Sequence, residues 1–294
     1  MFAAPREDAI HRDRESRVIK SLLLGIDDTP ASFAAQGVAL DLAKRLSVTV
    51  TGISVLDAAR IAPTEAVPIG ALHYKRQADY ARLQRASEHQ DLARRRLLSE
   101  AEAVGASATC ELTVGDAFEA IVQNAMTRDL VVLGRDVAFD GFPSAALSHL
   151  VDRLLHGNPR PLLLCPEGAC RIGTTLVAFD GSVAAARSMQ LFALLGLGRL
   201  GPVRVASIAA EKAAAEQVGS AAVAYLRQHA VEAEAWPLAT RADPAEVLAE
   251  AAAECGAQLM VMGAYGHRGW RETLLGSCTT KLADRCPVSL FIHH

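Results

Sequence analysis

The residues best suited to chemistry lie between Gly263 and Ser277, in the stretch GAYGHRGWRETLLGS. Two residues separate Gly263 from Gly266, nine separate Gly266 from Gly276, and Ser277 follows. Glycines let main-chain N–H groups approach a ligand with no Cβ in the way. Gly276 and Ser277 open a helix predicted over Cys278 to Arg285. The first N–H groups of a helix are unpaired and its dipole favours anions there, so a phosphate fits. His267, Arg268 and Arg271 lie between the glycines and add positive charge. Three glycines and a hydroxyl residue at fixed offsets arise by chance in roughly one chain of this length in a hundred, so the flanking elements decide. The apolar run QLMVM, Gln258 to Met262, reads as a buried parallel strand. Strand, glycine loop and helix in that order are what a phosphate loop needs. The bland alternative is an ordinary strand-to-helix connection with spare glycines.

Those elements belong to a pattern that occurs twice. VIKSLLLGI, Val18 to Ile26, reads as a strand; Asp27, Asp28, Thr29 and Pro30 follow, then a helix from Ala31 to Leu46. Further strands are predicted over Val48–Leu56, Ser107–Val114, Leu130–Gly134 and Pro161–Cys165. Helices are expected over Leu72–Val104, from Ala117 to about Thr127 behind a cap at Gly115 and Asp116, and over Ser148–Leu155. The order then restarts. TTLVAF, Thr174 to Phe179, is a strand, and Asp180, Gly181 and Ser182 align with Asp27, Asp28 and Thr29. Strands over Val203–Ile208, Val231–Leu238, Gln258–Gly263 and Pro287–Ile292 alternate with helices over Val183–Leu195, Glu211–His229, Ala245–Cys255 and Cys278–Arg285. Alternating strands and helices imply parallel sheets with right-handed crossovers, and hence an α/β fold. Ligands of such sheets bind beyond the carboxyl ends of the strands, where the strand order reverses. Asp180 is therefore expected opposite the Gly263–Gly269 loop, and Asp27 opposite Gly134. The chain divides into a disordered segment 1–17, a first domain 18–166 and a second domain 174–294.

The two copies differ at the loop. Gly134 matches Gly263, but Val137 stands where Gly266 does, Leu147 where Gly276 does, and Ser148 matches Ser277. A β-branched residue disfavours positive φ, and its side chain fills the space a phosphate needs. Asp136 and Asp140 also give that loop the wrong charge for a triphosphate. The first copy reads as a structural half, with Asp27 capping the turn behind its strand.

Other chemistries find little support. GLGRLG, with Gly196, Gly198 and Gly201, follows a helix and precedes a strand, so it reads as a helix end and turn rather than a dinucleotide loop. No Gly-Lys-Ser/Thr, no Ser-Gly-Gly-x-Asp-Ser and no Gly-x-Ser-x-Gly occurs. The six cysteines include no Cys-x-x-Cys pair, against a zinc site or a disulfide framework, and the nine histidines show no ligand spacing. A net charge of −3 gives no reason to expect nucleic acid as a partner. No apolar run reaches transmembrane length, and residues 1–17 lack the apolar core of a signal peptide. A cytoplasmic protein with no membrane partner is the expectation.

Gly-x2-Gly-x9-Gly-Ser resembles the nucleotide-binding signature of the universal stress protein family. The supporting stretches are LLLGIDDTPAS, TLVAFDGS, ADPAEVLAEAAAECGAQLMVMGAYGHRG, LLGSCTTKLADRCPVSLFI and the degenerate GDAFEAIVQNAMTRDLVVLG. The resemblance covers nearly the whole chain. It implies two tandem Rossmann-like, HUP-type domains, each a five-stranded parallel sheet of order 3-2-1-4-5. It also implies that the fifth strands pair antiparallel to make an internal pseudo-dimer, and that whole chains form a homodimer. It places ATP, with ADP or AMP as alternatives, in the second domain. Asp180 would face the adenine–ribose part, with Ala178 beside it, Ile208 lining the adenine pocket and Met262 closing the preceding strand. Gly263, Gly266, His267, Arg268 and Gly269 would wrap ribose and phosphates, and Gly276, Ser277 and Cys278 would donate to the phosphates. Mg2+ would be held by phosphates and water, not by a protein metal site. Ala178, where glycine or proline is usual, and Tyr265, in place of a smaller polar residue, depart from the family pattern. The resemblance implies a nucleotide-dependent stress-response module with an unidentified protein partner. The alternatives are a slow ATPase or self-phosphorylating enzyme using Ser277 or Thr279, and a dimer scaffold with a vestigial loop. No general base or arginine finger is visible in the sequence, so no catalytic residue is assigned.

Overall fold

The computed structural model describes residues 19–64, 68–137, 139, 149–169, 171–264 and 277–294. One unit is built twice. In the first, strands β1 (Ser21–Gly25), β2 (Thr49–Leu56), β3 (Ala108–Val114), β4 (Leu130–Gly134) and β5 (Leu162–Cys165) alternate with helices α1 (Pro30–Leu46), α2 (Leu72–Val104), α3 (Ala117–Ala125) and α4 (His149–Gly157). In the second, β6 (Thr175–Ala178), β7 (Val203–Ala209), β8 (Ala233–Ala239), β9 (Leu259–Gly263) and β10 (Ser289–His293) alternate with α5 (Val183–Leu194), α6 (Lys212–Gln228), α7 (Pro244–Glu254) and α8 (Ser277–Arg285). Several strands are shorter at their N-terminal ends than the sequence predicts, because the leading residues run as approach to the sheet rather than in the ladder.

The strand order is β3-β2-β1-β4-β5-β10-β9-β6-β7-β8. Each unit thus has the expected order 3-2-1-4-5, with all pairs inside a unit parallel. The two sheets are not separate bodies. β5 and β10 pair antiparallel, Leu163 opposite Phe291, and fuse them into one ten-stranded sheet. The internal pseudo-dimer is therefore joined by main-chain hydrogen bonds.

A parallel sheet has both faces covered, and its strands read as continuous apolar runs for that reason. Side chains alternate between faces. Leu22 and Leu24 of β1 join Val50, Val132, Val177, Val205, Val261 and Phe291 under α1, α2, α5 and α6. Leu23 joins Ile53, Val131, Leu133, Leu176, Ala206, Met260 and Leu290 under α3, α4, α7 and α8. Side-chain caps start several helices: Thr29 accepts from Ser32 N, Asp116 from Glu119 N, Ser182 from Ala185 N and Asp243 from Ala245 N. Such caps satisfy amide donors that a helix cannot pair internally.

Helix α2 has 33 residues but buries only Ala86, Ala93, Leu97 and Ala101, so its charged positions form a solvated face. Within its arginine run, Arg96 is held inside the chain, over the Phe33 ring at 3.8 Å and 2.7 Å from Glu100. GLGRLG is a helix end: Gly196 adopts φ 77 and a short 3-10 turn, Leu197–Arg199, follows. Arg45 on the last turn of α1 donates to Leu200 O at 2.7 Å and to Ile172 O, which ties the first unit to the start of the second. Among the described residues, no helix is long and apolar enough to cross a membrane.

Candidate functional site

The strand order of the second unit reverses between β6 and β9, which pair in parallel. The point beyond their carboxyl ends is where such sheets bind ligands. Asp180 follows β6 and is exposed. Its Oδ1 accepts from Ser182 N at 2.9 Å and so shapes the entry to α5. Asp27 does the same in the first unit, accepting from Thr29 N at 3.1 Å. One oxygen of Asp180 is thus already committed to a local turn.

Gly263 closes β9, but not for the reason its place in the glycine pattern suggests. A Cβ there would lie 2.4 Å from Ala185 N and 2.5 Å from Ala184 C, inside the backbone of α5. At Gly134, a Cβ would lie 2.5 Å from Ser32 N and 2.6 Å from Ala31 C of α1. Both glycines are required because the first turn of a helix presses on the strand end. Neither glycine, taken alone, distinguishes a ligand site from a packing contact.

The described residues around this point are largely apolar. Ala178, Ile208 and Cys278 are half-buried and pack on the same cluster as buried Met262, with Trp236 and Leu238 from β8 beside them. These four nominated residues, from four different elements, all lie on that core cluster. Ser277 opens α8, as nominated. Gly266, His267, Arg268, Gly269 and Gly276 lie outside the described residues.

Helix α8 is held on α7 by Lys281 Nζ, 2.6 Å from Asp243 Oδ2. The contact lowers the Asp243 pKa and raises that of Lys281. Burial pushes the Cys278 thiol up to about 11; Asp243 adds to the rise, Lys281 opposes it and Asp180 adds a further contribution. Cys278 is thus a neutral thiol near Asp180, not a thiolate, and its redox reactivity is suppressed. Thr279, one of the two hydroxyls considered as phosphoryl acceptors, is buried. All five described cysteines are free thiols.

At the equivalent point of the first unit, several described side chains are buried. By the strand registers, Gly25 corresponds to Ala178 and Val55 to Ile208. Val55 is fully buried, and so is Val137 in the loop after β4. Phe139, two residues on, is also buried, and its ring Cζ would lie 3.3 Å from a Cβ at Gly25. Phe139 holds a φ of 60. Asp136 is turned to local use: its Oδ1 lies 2.9 Å from the Thr29 hydroxyl, which is also 2.8 Å from Asp27 Oδ1. Leu147, Ser148 and Asp140 lie outside the described residues.

Sequence reasoning missed Phe139 and Arg135. The signal for Phe139 was an aromatic residue five positions beyond a strand-end glycine, where the second unit has Arg268. Arg135 had none, because its partner is far away in the chain.

Comparison with known proteins agrees with the fold. The model of the Universal stress protein family matches residues 19–166 and 172–294. Universal stress protein Slr1230 of Synechocystis sp. PCC 6803 is 23% identical over 162 residues, which cover 54% of this chain. The match spans 56% of the length of that curated relative. Among solved structures, a universal stress protein from Archaeoglobus fulgidus is similar with a TM-score of 0.64 at 17% identity, over 92% of this chain and 97% of that one. Protein PA1789 from Pseudomonas aeruginosa PAO1, described as functionally unknown, is similar with a TM-score of 0.54 at 16% identity, over 95% and 94%. These structural likenesses concern the fold alone.

Proposed function

The chain belongs to the universal stress protein family, with two tandem units of its fold, and from that premise we propose that it binds ATP in the second unit and works as a nucleotide-dependent stress-response module. ADP and AMP are the competing occupants. In this reading Ala178, Ile208 and Met262 underlie the adenine and Asp180 borders the ribose. Gly263, Gly266, His267, Arg268 and Gly269 wrap the ribose and phosphates. Main-chain amides at Gly276, Ser277 and Cys278 meet the phosphates at the start of α8, where a helix favours anions. Mg2+ would arrive with the phosphates and be held by them and by water.

The contrast between the two units carries this reading. Where both units are described, Val55 is buried but its counterpart Ile208 is half-buried, and Gly25 is buried but its counterpart Ala178 is half-buried; the counterparts of buried Val137 and Phe139, Gly266 and Arg268, lie outside the described residues. An apolar floor next to unpaired amides suits a ligand with an aromatic end and an anionic end.

Calorimetric titration of the purified chain with ATP tests it. One site per chain is expected, lost in Gly276→Leu, which copies the first unit, while the far-UV dichroism is unchanged. No binding, or two sites per chain, refutes the assignment.

A further inference from the structure

Arg135 follows β4 in the first unit, yet its side chain serves the second. Its main-chain N–H donates to Cys165 O at the end of β5, at 2.9 Å. Its Nη1 donates across the seam between the units to Cys286 O, also at 2.9 Å. Cys286 directly follows α8 and closes that helix with a bond from its N–H to Leu282 O at 2.8 Å. The last carbonyls of a helix carry the negative end of its dipole, so a guanidinium there is stabilising. The charge is felt locally: burial raises the Cys286 thiol, and Arg135 works against that rise.

The support runs one way. The residue of the second unit that corresponds to Arg135 is Ala264, whose side chain has no donor and whose N–H goes to His293 O at 2.9 Å. No guanidinium from that position reaches back toward α4. Arg135 is also anchored by its surroundings, since its backbone bonds β5, β5 pairs with β10, and α8 leads into β10.

We infer that Arg135 is a positioning residue: by holding the C-terminal end of α8 from the first unit, it fixes where the N-terminal turn of α8 stands and so sets the nucleotide affinity of the second unit. The inference rests on the nucleotide reading above. Arg135 does not touch the nucleotide, because a nine-residue helix spans roughly 13 Å. It acts through a rigid rod whose middle is held by Lys281 and Asp243. With its far end released, the rod tilts and its leading amides leave the geometry that anion binding needs. Buried side chains at the equivalent point of the first unit are compatible with this role, since the contribution comes from the seam.

The test uses the full chain and compares wild type, Arg135→Ala and Arg135→Lys by ATP calorimetry, with melting of the nucleotide-free proteins alongside. Arg135→Ala is expected to weaken ATP binding roughly two- to thirty-fold, the range that couplings through packed elements reach. Lysine, which keeps a cation at the carbonyl, is expected to recover most of it, and the fall in the ligand-free melting point of Arg135→Ala is expected to be no larger than the loss of one helix-end cation brings. Arg135→Ala binding ATP as wild type does overturns the inference and leaves the nucleotide reading intact. So does an affinity loss that lysine does not restore, or one accompanied by a larger loss of ligand-free stability. A wild-type chain that binds no ATP overturns both.

Discussion

Replacing Gly263 by alanine will destabilise the protein with no nucleotide present, and by about as much as Gly134→Ala does. At Gly263 the new Cβ would meet Ala185 N at 2.4 Å, Ala184 C at 2.5 Å and Ala184 Cβ at 2.8 Å. At Gly134 it would meet Ser32 N at 2.5 Å, Ala31 C at 2.6 Å and Ser32 Cα at 2.9 Å. Non-bonded carbon contacts are comfortable at roughly 3.5–4.0 Å, so each helix must retreat by about 1 Å. The obstacle is helix backbone, and no flexible side-chain tip can yield instead. The turns that must move are pinned by Ser182 on Ala185 N and by Thr29 on Ser32 N. Ala185 and Ser32 are themselves buried against the sheet. Overpacking of this kind costs roughly 1–3 kcal/mol, which corresponds to a fall in Tm of about 2–12 °C for a chain of this size. The assay is thermal unfolding of nucleotide-stripped protein followed by far-UV dichroism, with the two variants side by side. If Gly263 served only to admit a phosphate, Gly263→Ala would lose ATP and melt as wild type does, while Gly134→Ala would show the whole loss. A wild-type melting point for Gly263→Ala therefore refutes the packing argument.

Phe139→Ala removes a buried ring from the first unit and is expected to lower stability by roughly 3–5 kcal/mol, read from urea unfolding. Asp116 accepts from Glu119 N and lies beside Arg153, and these contacts hold its carboxyl below the usual range. A lowered folded-state value stabilises above the unfolded carboxylate pKa, and the effect fades as the pH falls through the folded value. Asp116→Asn should therefore be less stable than wild type at neutral pH and converge with it in strong acid, by urea midpoints at each pH. Burial, and then the charges of His294, Arg187 and Arg160, push His293 down to about 4. The unfolded chain takes up a proton near the ordinary histidine value while the folded chain resists, so stability falls as the pH drops toward 4. His293→Gln should flatten that part of the midpoint-versus-pH curve, and an unchanged slope would refute the assignment.

Much of the fold could be read in the sequence because it rests on local chemistry. The strand LLL of β1 is apolar on both faces because both faces are covered, and that reads as an unbroken run. Thr29, Asp116, Ser182 and Asp243 announce helix starts because a short polar side chain there satisfies an amide two or three residues on. The repeat is legible because Asp27 and Asp180 make the same turn after the same strand. What escaped the sequence is long-range. Arg135 and Cys286 are far apart in the chain, and no spacing rule joins them. Phe139 was legible only as an aromatic residue where the second unit has Arg268: a φ of 60 is a conformation bulky residues avoid, so nothing local predicts that its ring turns inward. The reading of Gly263 was incomplete because one glycine can answer to packing and to ligand approach together.

The seam explains why the first unit keeps its fold. Without β5, strand β10 would be an edge carrying Leu290, Phe291 and Ile292, all buried here, and bare apolar edges invite aggregation. The first unit is therefore needed as cover whether or not it binds anything. Once it is needed only as cover, stability and function no longer pull against each other in its loop after β4. Burying a valine or phenylalanine stabilises by roughly 1.5–3 kcal/mol, so Val137 and Phe139 at the loop strengthen the unit. The second unit has the opposite balance. Ala178 and Ile208 stay half-buried where Gly25 and Val55 are buried, so apolar surface remains wet in the absence of a ligand. Such positions lack the stabilisation that full burial gives their counterparts.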